Sequence, residues 1–88
     1  MRAFKLSITS PEGTLFEGDV LQLSVRGVEG ELAVMAGHIP FVTALATGEC
    51  RIYLEDGSVR RADAAGGMLT VTREETFLLS SSFKFRDE

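Results

Sequence analysis

The residues on which small-protein chemistry usually rests are almost missing. The 88-residue chain has one histidine, His38, and one cysteine, Cys50. A metal site needs several convergent His, Cys or carboxylate ligands, so no metal is expected. A lone thiol has no internal disulfide partner, which fits a reducing compartment. There is no tryptophan and one tyrosine, too little for an aromatic-lined ligand cleft. Nine Lys and Arg face thirteen Asp and Glu, a formal net charge of −4. That balance excludes a nucleic-acid binder, which neutralises phosphates with cations, and a polybasic membrane patch. No apolar run approaches the ~20 residues that span a bilayer. Met1-Arg2-Ala3-Phe4-Lys5 opens no apolar signal region. Direct membrane insertion is therefore not expected, and any membrane association comes through a partner. No phosphate-loop motif, glycine fingerprint or nucleophile elbow is present. Neither a cofactor nor enzymatic activity is expected.

What remains is the balance of a globular domain, 44% apolar and 25% charged. The length allows one domain with one core and no deep, walled pocket. Period-two alternation dominates: Phe4, Leu6, Ile8; Leu21, Leu23, Val25; Cys50, Ile52, Leu54; Leu69, Val71. Each set reads as a half-buried strand. No stretch keeps a capped 3.6-residue pattern, so helix is not expected. Breaks fall at Ser10-Pro11-Glu12-Gly13, Gly27-Val28-Glu29-Gly30, residues 36–40 and Ala46-Thr47-Gly48. Asp56-Gly57 predicts a hairpin with a type I′ turn, and Gly66-Gly67 a bulge or close backbone approach. The predicted fold is all-β, a flattened antiparallel β-sandwich of about eight to ten short strands. Residues 1–82 form the domain and 83–88 a short tail, strand-like or extended through Phe83-Lys84-Phe85-Arg86.

Cys50 shares an apolar strand face with Ile52 and Leu54 and reads as a small buried hydrophobe. The acid pairs Glu55-Asp56 and Glu74-Glu75 read as solvated loop charges. The segment from Val28 to Pro40 carries more information. A short strand lies between two loops, and the second, stiffened by Pro40 and turned by Gly37, displays His38. Taken alone, His38 is an ordinary loop histidine or part of a docking surface on a rigid scaffold.

The ordered motifs from Ser10 to Gly18, Glu29-Gly30-Glu31-Leu32, Gly37-His38-Ile39-Pro40-Phe41-Val42-Thr43-Ala44-Leu45, Gly48, Asp56-Gly57 and Gly66-Gly67-Met68-Leu69-Thr70-Val71 closely resemble the N-terminal domain of the epsilon subunit of F-type ATP synthase. The resemblance runs from about Phe4 to Ser80. It implies a non-catalytic rotor subunit with two partners, the gamma subunit and the c-subunit ring, coupling proton flow to ATP synthesis. Its place would be peripheral, on the cytoplasmic side of a bacterial energy-transducing membrane. Glu31 and His38 match positions near the c-ring contact. One sheet face and the loop around Phe41 and Val42 would meet gamma, with Met35 in the same apolar patch.

Members of that family continue into a helical hairpin of roughly fifty residues, longer than any ordinary loop. Eighty-eight residues leave no room for it, so neither hairpin-dependent inhibition nor an ATP site is expected. Asp63 stands where the family favours an apolar or small residue, and Arg73-Glu74-Glu75 replaces a glycine-bearing turn. The alternative function is a free-standing sandwich that binds a ligand or peptide; a small enzyme would need acid, base or metal groups that are not there.

Overall fold

The computed structural model describes residues 2–86. Seven strands follow in order: β1 (Phe4–Ser10), β2 (Gly13–Gly27), β3 (Gly30–Met35), β4 (Phe41–Leu54), β5 (Val59–Val71), β6 (Glu75–Leu79) and β7 (Phe83–Phe85). There is no helix among the described residues. Three strands are long, because β2, β4 and β5 bend and serve both layers of the sandwich. The pairings resolve into five segments per layer. Layer one runs β3, residues 22–27 of β2, residues 47–53 of β4, residues 59–65 of β5, then β7. Layer two runs residues 13–20 of β2, β1, β6, residues 67–71 of β5, then residues 41–45 of β4.

The number of continuous strands is thus seven, below the expected eight to ten. Alternation cannot tell a bent strand from two strands joined by a turn. The side-chain parity shows the bends. In β5 the buried residues are Ala62 and Ala64 before Gly66-Gly67, and Leu69 and Val71 after it. In β2 they are Val20, then Leu23 and Val25, across a register shift. In β4 they are Leu45, then Cys50 and Ile52. An extra residue at each bend keeps the apolar set inward as the chain changes layer. Ala46-Thr47-Gly48, expected as a turn, is such a bend inside β4. The sheet is also not purely antiparallel, since β1 and β6 pair in parallel.

The β4–β5 hairpin differs in type from the expectation. Gly57 has φ 90°, and no described non-glycine residue has positive φ, Asp56 included. Leu54 N–H donates to Ser58 O (2.9 Å), and Gly57 N–H to Leu54 O (3.1 Å). This is a three-residue loop, a type I turn closed by a left-handed glycine. Asp56 Oδ1 accepts from the Ser58 N–H (2.8 Å) and hydroxyl (2.6 Å). Those bonds favour the charged carboxylate and hold its pKa below the ordinary value, and they supply the local reason for the non-left-handed conformation of Asp56.

Leu6, Ile8, Val20, Leu23, Val34, Ile52, Leu69 and Leu78 are fully or almost fully buried between the layers. Each contributes roughly 1.5–3 kcal/mol relative to exposure. Phe83 belongs to the same cluster, and Phe85 packs against it. Both lie on β7, opposite Ala64 and Ala62. The sheet therefore continues past residue 82 through Phe85; residues 87 and 88 lie outside the described residues.

Candidate docking face

The two outer faces of the sandwich differ in chemistry. Residues directly opposed in a ladder project to the same side, so the register gives the rows on each face. On layer two, one row reads Glu17, Ser7, Phe77, Thr70, Val42. The next reads Thr14, Thr9, Leu79, Met68, Ala44. Val42 is 62% exposed, Leu79 56%, Met68 44% and Phe77 41%. A solvent-facing sheet surface ordinarily carries polar residues. Four large apolar side chains in adjacent rows form a patch of the kind that marks an interaction site.

The backbone shapes this patch. At Gly67, φ 134°, a Cβ would run into the Leu79 carbonyl oxygen and lie 2.9 Å from Ser80 Cα. The expected close backbone approach is therefore real, and it brings Met68 beside Leu79. Ser80 is buried, and its hydroxyl donates to Gly66 O (2.8 Å). Around this junction lies a concavity of about 460 Å³ lined by Ser10, Pro11, Gly67, Met68, Leu79, Ser80 and Ser81.

The outer face of layer one exposes Met35 and Val59, and its charges around Glu49 pair among themselves. Arg86 bonds the Asp63 carboxylate through Nε and Nη2 (2.7–3.1 Å) and Glu49 through Nη1 (3.0 Å). Arg61 and Arg51 also reach Glu49, at 2.9 and 3.3 Å. The Arg86 hydrogen bonds hold the Asp63 carboxyl below the usual aspartate range. Exposed pairs of this kind contribute about 0–1 kcal/mol each. They do explain how a carboxylate at Asp63 is accommodated on this exposed strand position. Beneath this face, burial and then the Glu49 charge push the Cys50 thiol up to about 12, which makes it an inert core residue.

The expected site residues scatter around this framework. Val42 is on the layer-two patch. Phe41 precedes it and turns toward the core, half-buried, with its ring 5.0 Å from that of His38. Met35 lies in the row Met35, Gln22, Tyr53, Val59 on the outer face of layer one. The fold therefore does not bring Met35 together with Val42. Glu31 is exposed at the start of β3, while His38 lies past its end in the loop 36–40. Four strand steps, about 13 Å, separate Glu31 from Met35 alone. His38 N–H donates to Met35 O (3.2 Å), and Gly37 at φ 85° closes that turn. Glu31 and His38 share only a rim, the free edge of the sandwich that β3 forms.

Sequence reasoning missed Met68, Phe77 and Leu79. The signal was the uninterrupted run Phe77-Leu78-Leu79. A strand that is apolar at consecutive positions has no polar face to give to water.

No group of three or more His, Cys, Asp or Glu that could hold a metal occurs among the described residues. What the arrangement offers is a rigid surface. Residues 3–85 match the family described as ATP synthase, Delta/Epsilon chain, beta-sandwich domain. The chain belongs to that family. Among curated relatives of this delta/epsilon domain is the sodium-ion-specific ATP synthase epsilon chain of Acetobacterium woodii, 34% identical over 85 residues and 97% of this chain. The epsilon chain of Caldicellulosiruptor saccharolyticus is 36% identical over 88 residues, all of this chain. The domain spans 64% of the length of each of these two relatives. A chain in the cryo-EM structure of the Euglena gracilis mitochondrial ATP synthase superposes with a TM-score of 0.92 at 24% identity, over 98% of this chain and 55% of its own length. One from the Tetrahymena thermophila mitochondrial ATP synthase central stalk and c-ring gives 0.82 at 14% identity, over 99% of this chain and 69% of its own. At those identities the likeness shows the sandwich fold.

Proposed function

We propose that this domain is a non-catalytic rotor component of an F-type ATP synthase, which grips the gamma subunit through the outer face of layer two and meets the c-ring along the β3 rim. The observation that carries this reading is the exposed apolar patch of Val42, Met68, Phe77 and Leu79 on one outer face of the sandwich. The two partners are those that the resemblance to the epsilon subunit implies, and the structural neighbours come from F1/c-ring and central-stalk/c-ring assemblies, which supports that choice. Phe41 supports the patch from inside. Met35 is left out, because one partner surface does not reach both outer faces. An edge-on contact at β3 accommodates Glu31 and His38 together, since both ends of that strand lie on one rim. Joined to shaft and ring, the domain transmits rotation and so couples ion flow to ATP synthesis, attached to the membrane only through its partners.

The test adds the chain to synthase depleted of epsilon and follows coupled ATP synthesis and gamma binding. Wild type restores coupling. Leu79→Asp, at a largely exposed strand position, costs about 1 kcal/mol of stability and leaves the chain folded, but raises Kd at least about 30-fold, the equivalent of a ~2 kcal/mol hot spot. Wild-type affinity in Leu79→Asp refutes docking through this face.

A further inference from the structure

The charges of this domain are sorted by layer. Arg26, Arg51, Arg60, Arg61 and Lys84 all stand on strand segments of layer one, with Glu31, Glu49 and Asp63. On the strand segments of layer two the cation is Lys5, against Glu17, Asp19 and Glu75. The register places these groups at one side of the apolar patch. Glu17 continues the row of Phe77 and Val42, and Asp19, Lys5 and Glu75 form the neighbouring row. Glu17, Asp19 and Lys5 are exposed and Glu75 is half-buried. The acids of layer one are largely spoken for, since Glu49 and Asp63 are held by arginines. Among the described strand segments of layer two there is no arginine, and Arg2 and Arg73 stand just before β1 and β6.

We infer that the layer-two face is built for a partner surface with an apolar ridge flanked on one side by lysine or arginine, and that the acidic margin steers this partner in. This inference rests on the docking reading above. It adds the chemistry of the partner's surface and an electrostatic component of the association rate. An apolar centre fixes how long a complex lasts. A margin of net negative charge, here three acids against Lys5, raises the encounter rate, by up to 10–10³-fold in the strongest cases, and loses that gain as salt screens it. At physiological ionic strength the screening length is about 8 Å, so the margin acts within the last layers of water before contact. The pocket beside Met68 and Leu79 then receives the ridge.

Edge strands also carry charge simply to discourage strand pairing, and Glu17 and Asp19 lie on the outer segment of layer two. Kinetics separates that role from steering. The experiment measures association and dissociation rates of the chain with the purified F1 sector lacking its epsilon subunit, across a series of salt concentrations. Wild-type association falls about tenfold from low to high salt. The double variant Glu17→Gln, Asp19→Asn associates about three- to tenfold more slowly than wild type at low salt, equals it at high salt, and dissociates at the wild-type rate. Lys5→Gln associates faster at low salt. Thermal melts confirm that each variant is folded. Leu79→Asp serves as the parallel arm and loses binding at every salt concentration. If the charge variants match wild type at low salt while Leu79→Asp still abolishes binding, the steering inference fails and the docking reading stands. If Leu79→Asp binds normally, or wild type does not bind, both fail.

Discussion

Gly67→Ala is the sharpest structural probe of the docking face. Gly67 has φ 134°, where only glycine is comfortable, and its missing Cβ is the space that the Leu79 carbonyl and Ser80 Cα occupy. Backbone strain of this kind costs about 1–3 kcal/mol, and overpacking against immovable backbone about 1–3 kcal/mol more. The sum, about 2–6 kcal/mol, is a large share of the roughly 4–13 kcal/mol total for a chain of this size. Gly66→Ala is the internal control. It has φ 74°, and its Cβ would meet Leu45 O at 3.5 Å, ordinary contact. Its cost is therefore the left-handed penalty alone, about 1–2 kcal/mol. Urea titration of both variants gives the comparison, and Gly67→Ala should melt lower by roughly 4–8 °C per kcal/mol lost. A Gly67→Ala cost equal to or below that of Gly66→Ala would show that the two backbones are not pressed together, and the patch would lose the contact that sets Met68 beside Leu79.

Ser80→Ala removes the buried hydroxyl that donates to Gly66 O; it should cost about 1–3 kcal/mol in urea unfolding, and a negligible loss would mean that this bond does not hold the bend. Cys50, with its thiol pushed up to about 12 by burial, should resist iodoacetamide at mildly alkaline pH in the folded chain and react once denaturant exposes it; fast labelling of folded protein contradicts the buried placement. The Asp63 carboxyl is held below its ordinary value of about 3.9 by Arg86. The pair therefore contributes above that ordinary value and is lost as pH falls through the lowered one. The Arg86 Nε–H resonance should shift with a midpoint below ordinary aspartate and lose that step in Asp63→Asn; a midpoint at or above the ordinary value counts against the contact.

Much of the core was legible in the sequence because burial and period two coincide along Leu6-Ile8, Leu23-Val25, Cys50-Ile52 and Leu69-Val71. The bends were harder to read. A strand that crosses from one layer to the other shifts its buried parity by one residue, and Ala46-Thr47-Gly48 has the composition of a turn while remaining in β4. The Asp56-Gly57 hairpin was visible, but its loop type depends on hydrogen bonds to Asp56 from Ser58, which a dipeptide rule ignores. The docking face was half visible. Val42 was named through its motif and is exposed on this face, while Met68, Phe77 and Leu79 converge only through the β4–β5–β6 register. Nearness in sequence misled for Met35 and Val42, which are seven positions apart in the chain yet face opposite sides of the sandwich.

Hydroxyl-radical footprinting of the chain, free and bound to the F1 sector lacking epsilon, tests the docking face most directly, because Met, Phe and Leu all report their own solvent exposure. If layer two grips the shaft, oxidation of Met68, Phe77 and Leu79 drops on binding while Tyr53 and Val59 on layer one stay reactive. Protection of Tyr53 and Val59 with Met68, Phe77 and Leu79 unchanged would place the grip on the opposite face and contradict the proposed docking geometry.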